Sequence, residues 1–324
     1  MKKWFVVVIL ASFLLFNHGT VSAQGSSYAV IDAENGRVLL GSNVDERLPI
    51  ASLTKIWTAI VVIENSELDE QVIISREADY VEGSSIYVEE GKSYSVEYLL
   101  YGLMMQSGND AATALAEHVG GSVEGFAKLM NEKANYYGLT QTYFTNPTGL
   151  HHPDHLSSAK DTAKMLQIAM KNETFKKIAS TTQYNEGAHW RNKHRLLHLK
   201  NGAVAGKTGF TKVAGRTLAT YYERGEKKFV VVTLNSSNDW NVHQGLADEI
   251  DRTYKLETVA DDGNYKKSGV TIFLEDPIKM LLKKGEKKQI RHIVYLSRHS
   301  QSKRAVWHVF LNDEMVFAKL AERK

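Results

Sequence analysis

The chain has 324 residues, with 40 Lys+Arg against 37 Asp+Glu and a formal net charge of +3. So even a balance provides no field for gathering a polyanion, which excludes nucleic acid as the expected partner. The absence of cysteine excludes disulfides and thiolate-held metals, leaving core burial to hold the fold.

Residues 1–23 have a basic start, an apolar run of 13 residues from Trp4 to Phe16, and a small-residue exit at Val21-Ser22-Ala23. This predicts a secretory signal, because the run is shorter than the roughly 20 residues that cross a bilayer. Export leaves room for a large domain, residues 24–255, and a small one, residues 256–324.

From Ser26 to Asn43, two short apolar runs flank Glu34-Asn35-Gly36, the signature of a β-hairpin. Apolar residues then recur at helical spacing from Ser52 to Glu64, so a helix is expected to start at Ser52. Three more helical stretches follow, with breaks at Ser107-Gly108 and Gly120-Gly121, and another lies near Ser158 to Met170. Around Glu223-Arg224-Gly225-Glu226 the pattern reverts to alternating, β-branched runs, which predict a second hairpin. Strands at both ends of a helical region imply an α+β fold, an antiparallel sheet closed by sequence-distant strands and packed with a helical cluster.

From about Lys266 the sequence reads as short strands with charged turns, a small all-β module. Residues 256–324 carry 14 Lys+Arg against 9 Asp+Glu, whereas residues 24–255 carry 24 against 28. A basic module beside a mildly acidic body suggests contact with an anionic surface such as a cell wall.

Within the Ser52 helix, Ser52 and Lys55 are three residues apart and share a face, so the amine can reach the hydroxyl. A serine becomes a good nucleophile when a base takes its proton, and lysine can be that base once burial or a neighbouring cation lowers its pKa. Ile50, Leu53, Ile56 and Trp57 supply apolar company. Taken alone, the pair reads better as a helix cap with an outward lysine. Two further stretches change that. In QSGND, Ser107 and Asn109 sit at a helix break, and in GKTGFT, Lys207, Thr208 and Gly209 open a strand. Ser-x-x-Lys, Ser-x-Asn and Lys-Thr-Gly in this order form a known catalytic set.

Residues Ser26 to His243 resemble the low-molecular-mass penicillin-binding proteins, the serine D-alanyl-D-alanine carboxypeptidases, and especially their sporulation-type, Gram-positive members. The matching text includes RLPIASLTKIWTAIVVIE, LLYGLMMQSGNDAATALAEHVGG, GKTGFTKVAGRTLA and NDWNVH. The resemblance implies a β-lactamase/transpeptidase-like domain and an exported enzyme that removes the terminal D-alanine from peptidoglycan stem peptides through an acyl-serine, and that covalent β-lactams inhibit. No cofactor or metal is implied.

Carried onto this chain, Ser52 is the nucleophile, Lys55 its base and Ser107 a proton relay. Asn109 holds the substrate amide, Lys207 supplies positive charge, and Thr208 binds the terminal carboxylate. Backbone N–H groups of Ser52 and Phe210 form the oxyanion hole beside Gly209. The family's basic residue on the loop before Lys-Thr-Gly maps to Lys193. Phe210 stands where some members have histidine, and the amphipathic membrane-binding helix that ends many members is not evident.

Three alternatives are weaker. A β-lactamase needs a glutamate to activate the deacylating water, and NPTGLHHPDHLSSAKD has none; its Asp161 suits a helix first turn. A zinc peptidase built on His151, His152 and His155 lacks a further ligand and a base. A silent wall-binding protein has no need of the catalytic set.

Overall fold

The structure is a computed structural model that describes residues 27–267, 269–297, 299 and 302–324. The expected signal at residues 1–23 lies outside the described residues. Among these, no helix is long and apolar enough to cross a membrane.

Strands β1 (Ser27–Asp32) and β2 (Val38–Ser42) form the first hairpin. Gly36 takes φ +76 in the turn, a left-handed conformation that glycine adopts without a Cβ clash. Regular helix begins at Thr54 rather than Ser52, as α1 (Thr54–Ile63), behind a 3₁₀ turn at Ala51–Leu53. Ala51 enters that turn at φ +48, which sets Ser52 outside the regular helix.

A small ribbon, β3 (Gln71–Ile73) with β4 (Ser93–Ser95), encloses α2 (Arg76–Asp79). Helix α3 (Val96–Tyr101) runs into a π-helical turn at Gly102–Gln106, which ends on Ser107. After the break come α4 (Asn109–Gly120) and α5 (Val123–Tyr136), separated by Gly121 at φ +70. Ser158 caps α6 (Ala159–Ala169) by accepting from the Asp161 N–H, and α7 (Glu173–Ser180) follows. A second ribbon, β5 (Gln183–Tyr184) with β6 (Trp190–Arg191), precedes β7 (Ala203–Thr211), β8 (Gly215–Arg224) and β9 (Lys227–Leu234). Helix α8 (Asp239–Thr253) ends this half.

The central antiparallel sheet has order β2-β1-β9-β8-β7, so the N-terminal hairpin pairs with β9 from the far end of the region. Alternation separates two cores. Ala29, Ile31, Val230 and Val232 face the helical cluster, while Val30, Val231 and Leu218 face α8.

The C-terminal module has β10 (Tyr254–Ala260), β11 (Gly263–Lys267), β12 (Val270–Leu274), β13 (Ile278–Lys283), β14 (Ile290–Leu296), β15 (Arg304–Leu311) and β16 (Glu314–Arg323). Its sheet runs β11-β12-β16-β15-β14, and β10 pairs with β13 over a separate core around Trp307 and Met280. Polar contacts tie it to the sheet domain, among them the Leu281 N–H donating to Asp32 at 3.0 Å, Arg37 meeting Glu286 and the Leu281 carbonyl, and Tyr254 donating to the Leu39 carbonyl.

Candidate active site

Three elements converge on one cleft of about 340 Å³ that includes Ser52, Ser107, Lys193, Thr208, Gly209 and Phe210 in its walls. The 3₁₀ turn before α1 brings Ser52, the break before α4 brings Ser107, and edge strand β7 brings Thr208. Two joints are held in left-handed backbone by non-glycine residues, Ala51 at φ +48 and Ser107 at φ +66. Such conformations cost of order 1–3 kcal/mol each and persist where the surroundings fix them.

Close approach of β7 to Ser52 requires Gly209. A Cβ there would lie 2.4 Å from Thr217 Oγ1 and 3.0 Å from the Ser52 nitrogen. Thr217 in turn donates to the Ile50 carbonyl at 3.1 Å, fastening β8 to the turn that carries the serine.

The Lys55 amine lies 3.2 Å from Ser52 Oγ. It also donates to Asn109 Oδ1 and to the Thr148 carbonyl, both at 2.6 Å. Lys55 is fully buried, and burial first, then the charge of Lys207, holds its pKa well below the usual lysine value. Its hydrogen-bond acceptors are neutral, and the charge of Asp110 offsets only part of the desolvation of an ammonium.

Lys207 donates to Ser107 Oγ at 3.0 Å and to the Thr208 carbonyl at 2.9 Å. Burial, and secondarily the charge of Lys193, lowers its pKa to about 7. Lys193 reaches across to the Gln106 carbonyl at 2.7 Å, and desolvation at that contact lowers its own pKa.

All the expected site residues therefore gather around the cleft, with one change of position. Asn109 is buried, its oxygen on Lys55 and its nitrogen on the Glu82 carbonyl at 2.6 Å. It grips the lysine from behind rather than facing the opening. The Phe210 ring stands at the mouth, 65% exposed.

Several participants escaped the motif reading. Asp110, next to the Ser-x-Asn pair, accepts from the backbone N–H groups of Ile86, Tyr87 and Val88 and from Ser85, fixing the loop that carries Ser84 into the cleft wall. His155 accepts the Thr145 N–H on Nδ1 at 3.1 Å, which leaves Nε2–H to donate to Thr54 Oγ1 at 2.8 Å. Burial keeps this imidazole neutral, with a pKa near 4. It thus pins the loop that delivers the Thr148 carbonyl to Lys55, while His151 and His152 are exposed. Arg195, Arg216 and Trp240 also line the cleft. The last two lie within stretches already matched by resemblance, GKTGFTKVAGRTLA and NDWNVH, and a basic or aromatic residue there was the available signal.

Residues 16–238 match a family profile described as D-alanyl-D-alanine carboxypeptidase, Peptidase S11. The D-alanyl-D-alanine carboxypeptidase DacF of Bacillus subtilis is 32% identical over 287 residues, which are 81% of this chain and 74% of that protein. The crystal structure of a D-alanyl-D-alanine carboxypeptidase from Mycobacterium tuberculosis superposes with a TM-score of 0.65 at 30% identity, over 68% of this chain and 89% of that one. Penicillin binding protein 5 of Haemophilus influenzae, 24% identical, has the same fold at a TM-score of 0.76 over 92% and 95% of the two chains.

Proposed function

Because the chain belongs to the serine D-alanyl-D-alanine carboxypeptidase family, acting on peptidoglycan, we propose how its cleft divides the labour of cutting D-Ala-D-Ala stem peptides. The observation that carries the reading is the contact set of Lys55. A neutral amine has two N–H bonds, and two short contacts to Asn109 and Thr148 use both. Its lone pair is then left for the Ser52 hydroxyl, the third neighbour. Lys55 takes the hydroxyl proton as Ser52 Oγ attacks the carbonyl carbon of the penultimate D-alanine.

The developing oxyanion lies between the backbone N–H groups of Ser52 and Phe210, beside Gly209, where such donors are worth a few kcal/mol. As the C–N bond breaks, Ser107 relays to the leaving amine the proton that Lys55 took, giving up its own and receiving that one, with Lys207 at 3.0 Å keeping its oxygen oriented. Thr208 binds the departing terminal carboxylate, and Lys193 adds positive charge at the wall. Water then hydrolyses the ester and frees Ser52. Asn109 acts chiefly by holding Lys55 in place.

We assign residues 24–255 to this peptidase unit and 256–324 to the β module, which α8 ending at Thr253 and β10 starting at Tyr254 support. Residues 1–23 act as an export signal, and the workplace is the envelope of a Gram-positive cell, in wall or spore-cortex maturation. Likeness to the Bacillus subtilis protein supports that assignment.

The test is covalent labelling. Incubation with a penicillin adds the mass of the opened drug to the Ser52 peptide, Ser52→Ala abolishes the adduct, and the wild type releases D-alanine from a pentapeptide. An unlabelled wild type sinks the mechanism.

A further inference from the structure

Far from the cleft, the C-terminal module has a sheet face that its own core does not use. In β15, Ala305, Trp307, Val309 and Leu311 point into the core with Met280, so by alternation Val306, His308 and Phe310 point the other way. The pairing register carries that second face across three strands. Tyr295 of β14 lies opposite Val306, which lies opposite Leu320 of β16, and in the next row Ile293, His308 and Ala318 are aligned. The Tyr295 and His308 rings meet with their centroids 4.7 Å apart. This face is open to water, with Leu320 75% and Tyr295 51% exposed. Contiguous apolar surface left in water marks a place of contact.

Cations flank the apolar rows. At one end Arg291 lies over the Phe310 ring at 5.3 Å. At the other, Arg304 stands on the same face opposite Glu322, which is opposite Phe273 of β12. Lys324 lies over the Phe273 ring at 3.9 Å, and Lys266 of β11 shares the face through its pairing with Thr271. Two carboxylates offset part of this charge, Asp313 on Arg291 at 2.8 Å and Glu322 beside Lys303 at 3.7 Å. Both pairs are exposed, so they hold their cations weakly and yield to other anions.

We propose that this strand face docks the module on an anionic lipid surface, with Leu320, Val306 and Ile293 at the acyl boundary and Arg291, Arg304 and Lys324 on the headgroups. Charge complementarity selects that occupant, since juxtaposed cations attract anionic lipid while apolar side chains enter the boundary beneath it. Tyr295, an apolar ring with a polar tip, suits the level between the two. A second copy docked face to face would set the same cations against one another. A hydrated glycan would stack on the rings but would gain little from Leu320, Val306 and Ile293, which carry no polar side-chain atom. The contact is made by strands rather than by a terminal helix and uses no residue of the cleft, so it stands apart from the peptidase reading. With one apolar face and a few cations, attachment is reversible.

The test is co-sedimentation of the processed chain, residues 24–324, which keeps both domains and leaves out the apolar run Trp4–Phe16, with phosphatidylglycerol or phosphatidylcholine vesicles. The wild type partitions onto phosphatidylglycerol at least tenfold better than onto phosphatidylcholine, and added salt weakens the binding. Leu320→Ser combined with Tyr295→Ser lowers the partition roughly tenfold or more. Arg291→Gln combined with Arg304→Gln lowers it by a similar factor on phosphatidylglycerol alone. Both double variants release D-alanine from a soluble pentapeptide at the wild-type rate, which shows that they are folded. A wild type that ignores phosphatidylglycerol overturns the proposal without any variant, and so do double variants that bind as the wild type does. Wild type that pellets with purified wall fragments but not with vesicles gives the face to a wall polymer and overturns the lipid contact. A dimer in sedimentation velocity that the Leu320→Ser, Tyr295→Ser variant dissociates gives it to a second copy and overturns it equally.

Discussion

The cleft and the C-terminal module treat charge in opposite ways. Lys55 and Lys207 are 0% and 2% exposed, and among the described residues neither has a carboxylate within ion-pair distance; their partners are hydroxyl, amide and carbonyl oxygens. In the module, Arg291 meets Asp313, Lys303 meets Glu322 and Lys319 meets Asp276, each pair open to water on at least one side. Exposed pairs of this kind contribute about 0–1 kcal/mol. A buried amine without a counterion instead loses its proton more easily, which suits a base and makes it a poor stabiliser. Placement in the fold, more than residue type, decides what each lysine does.

The contrast breaks most severely at Lys55. Lys55→Ala should slow acylation by penicillin roughly 100- to 10,000-fold, the usual worth of a positioned base, measured as the second-order rate of adduct formation. A loss below tenfold would mean that another group takes the proton. Next comes Asp110, whose carboxylate accepts from four backbone N–H groups, those of Ile86, Tyr87, Val88 and Ala111. Asp110→Ala should cost roughly 3 kcal/mol of unfolding free energy by denaturant titration, since buried donors lose their acceptor, and an unchanged midpoint would contradict that account of the loop.

Lys207 tests the burial argument through pH. Its folded pKa of about 7 lies below the ordinary lysine value of 10.5, so between those values the unfolded chain binds more protons than the folded one. Stability from this group therefore rises with pH above about 7 and is lost as pH falls. Between pH 7 and 9 stability rises by roughly 2 kcal/mol on this account, and Lys207→Met should remove that part of the pH dependence of urea unfolding. An identical slope in the variant would show that Lys207 is not desolvated. The smallest effect belongs to the module: Arg291→Ala should change stability by less than about 0.5 kcal/mol, and a loss of several kcal/mol would erase the contrast.

Much of this was legible in the sequence where local rules and tertiary packing agree. Asn35-Gly36 marked the first hairpin, the Gly120-Gly121 break separated α4 from α5, and the Glu-Arg-Gly-Glu turn joined β8 to β9. Ser52, Lys55, Ser107 and Lys207 were found because the motif spacings recur with helix, break and strand in order. The start of α1 was misplaced by two residues, because the left-handed Ala51 leaves no mark in an apolar run. Helix α8 went unread although Val242, Leu246 and Ile250 are spaced by four, and β10, β11 and β13 carry mixed polar patterns that only pairing resolves. The grip of Asn109 on Lys55, the Thr148 carbonyl and the pinning role of His155 depend on side chains or carbonyls from distant loops, and no local pattern encodes them.

The central claim is that Lys55 is neutral at working pH because burial, assisted by Lys207, lowers its pKa. The most direct measurement is the second-order rate of Ser52 acylation by a penicillin as a function of pH. The base is active when deprotonated, so the rate should rise with pH only through the lowered pKa of Lys55 and should level off well below pH 10.5. A rate that instead climbs tenfold per pH unit up to pH 10 would show an ordinary, charged Lys55 and contradict the account.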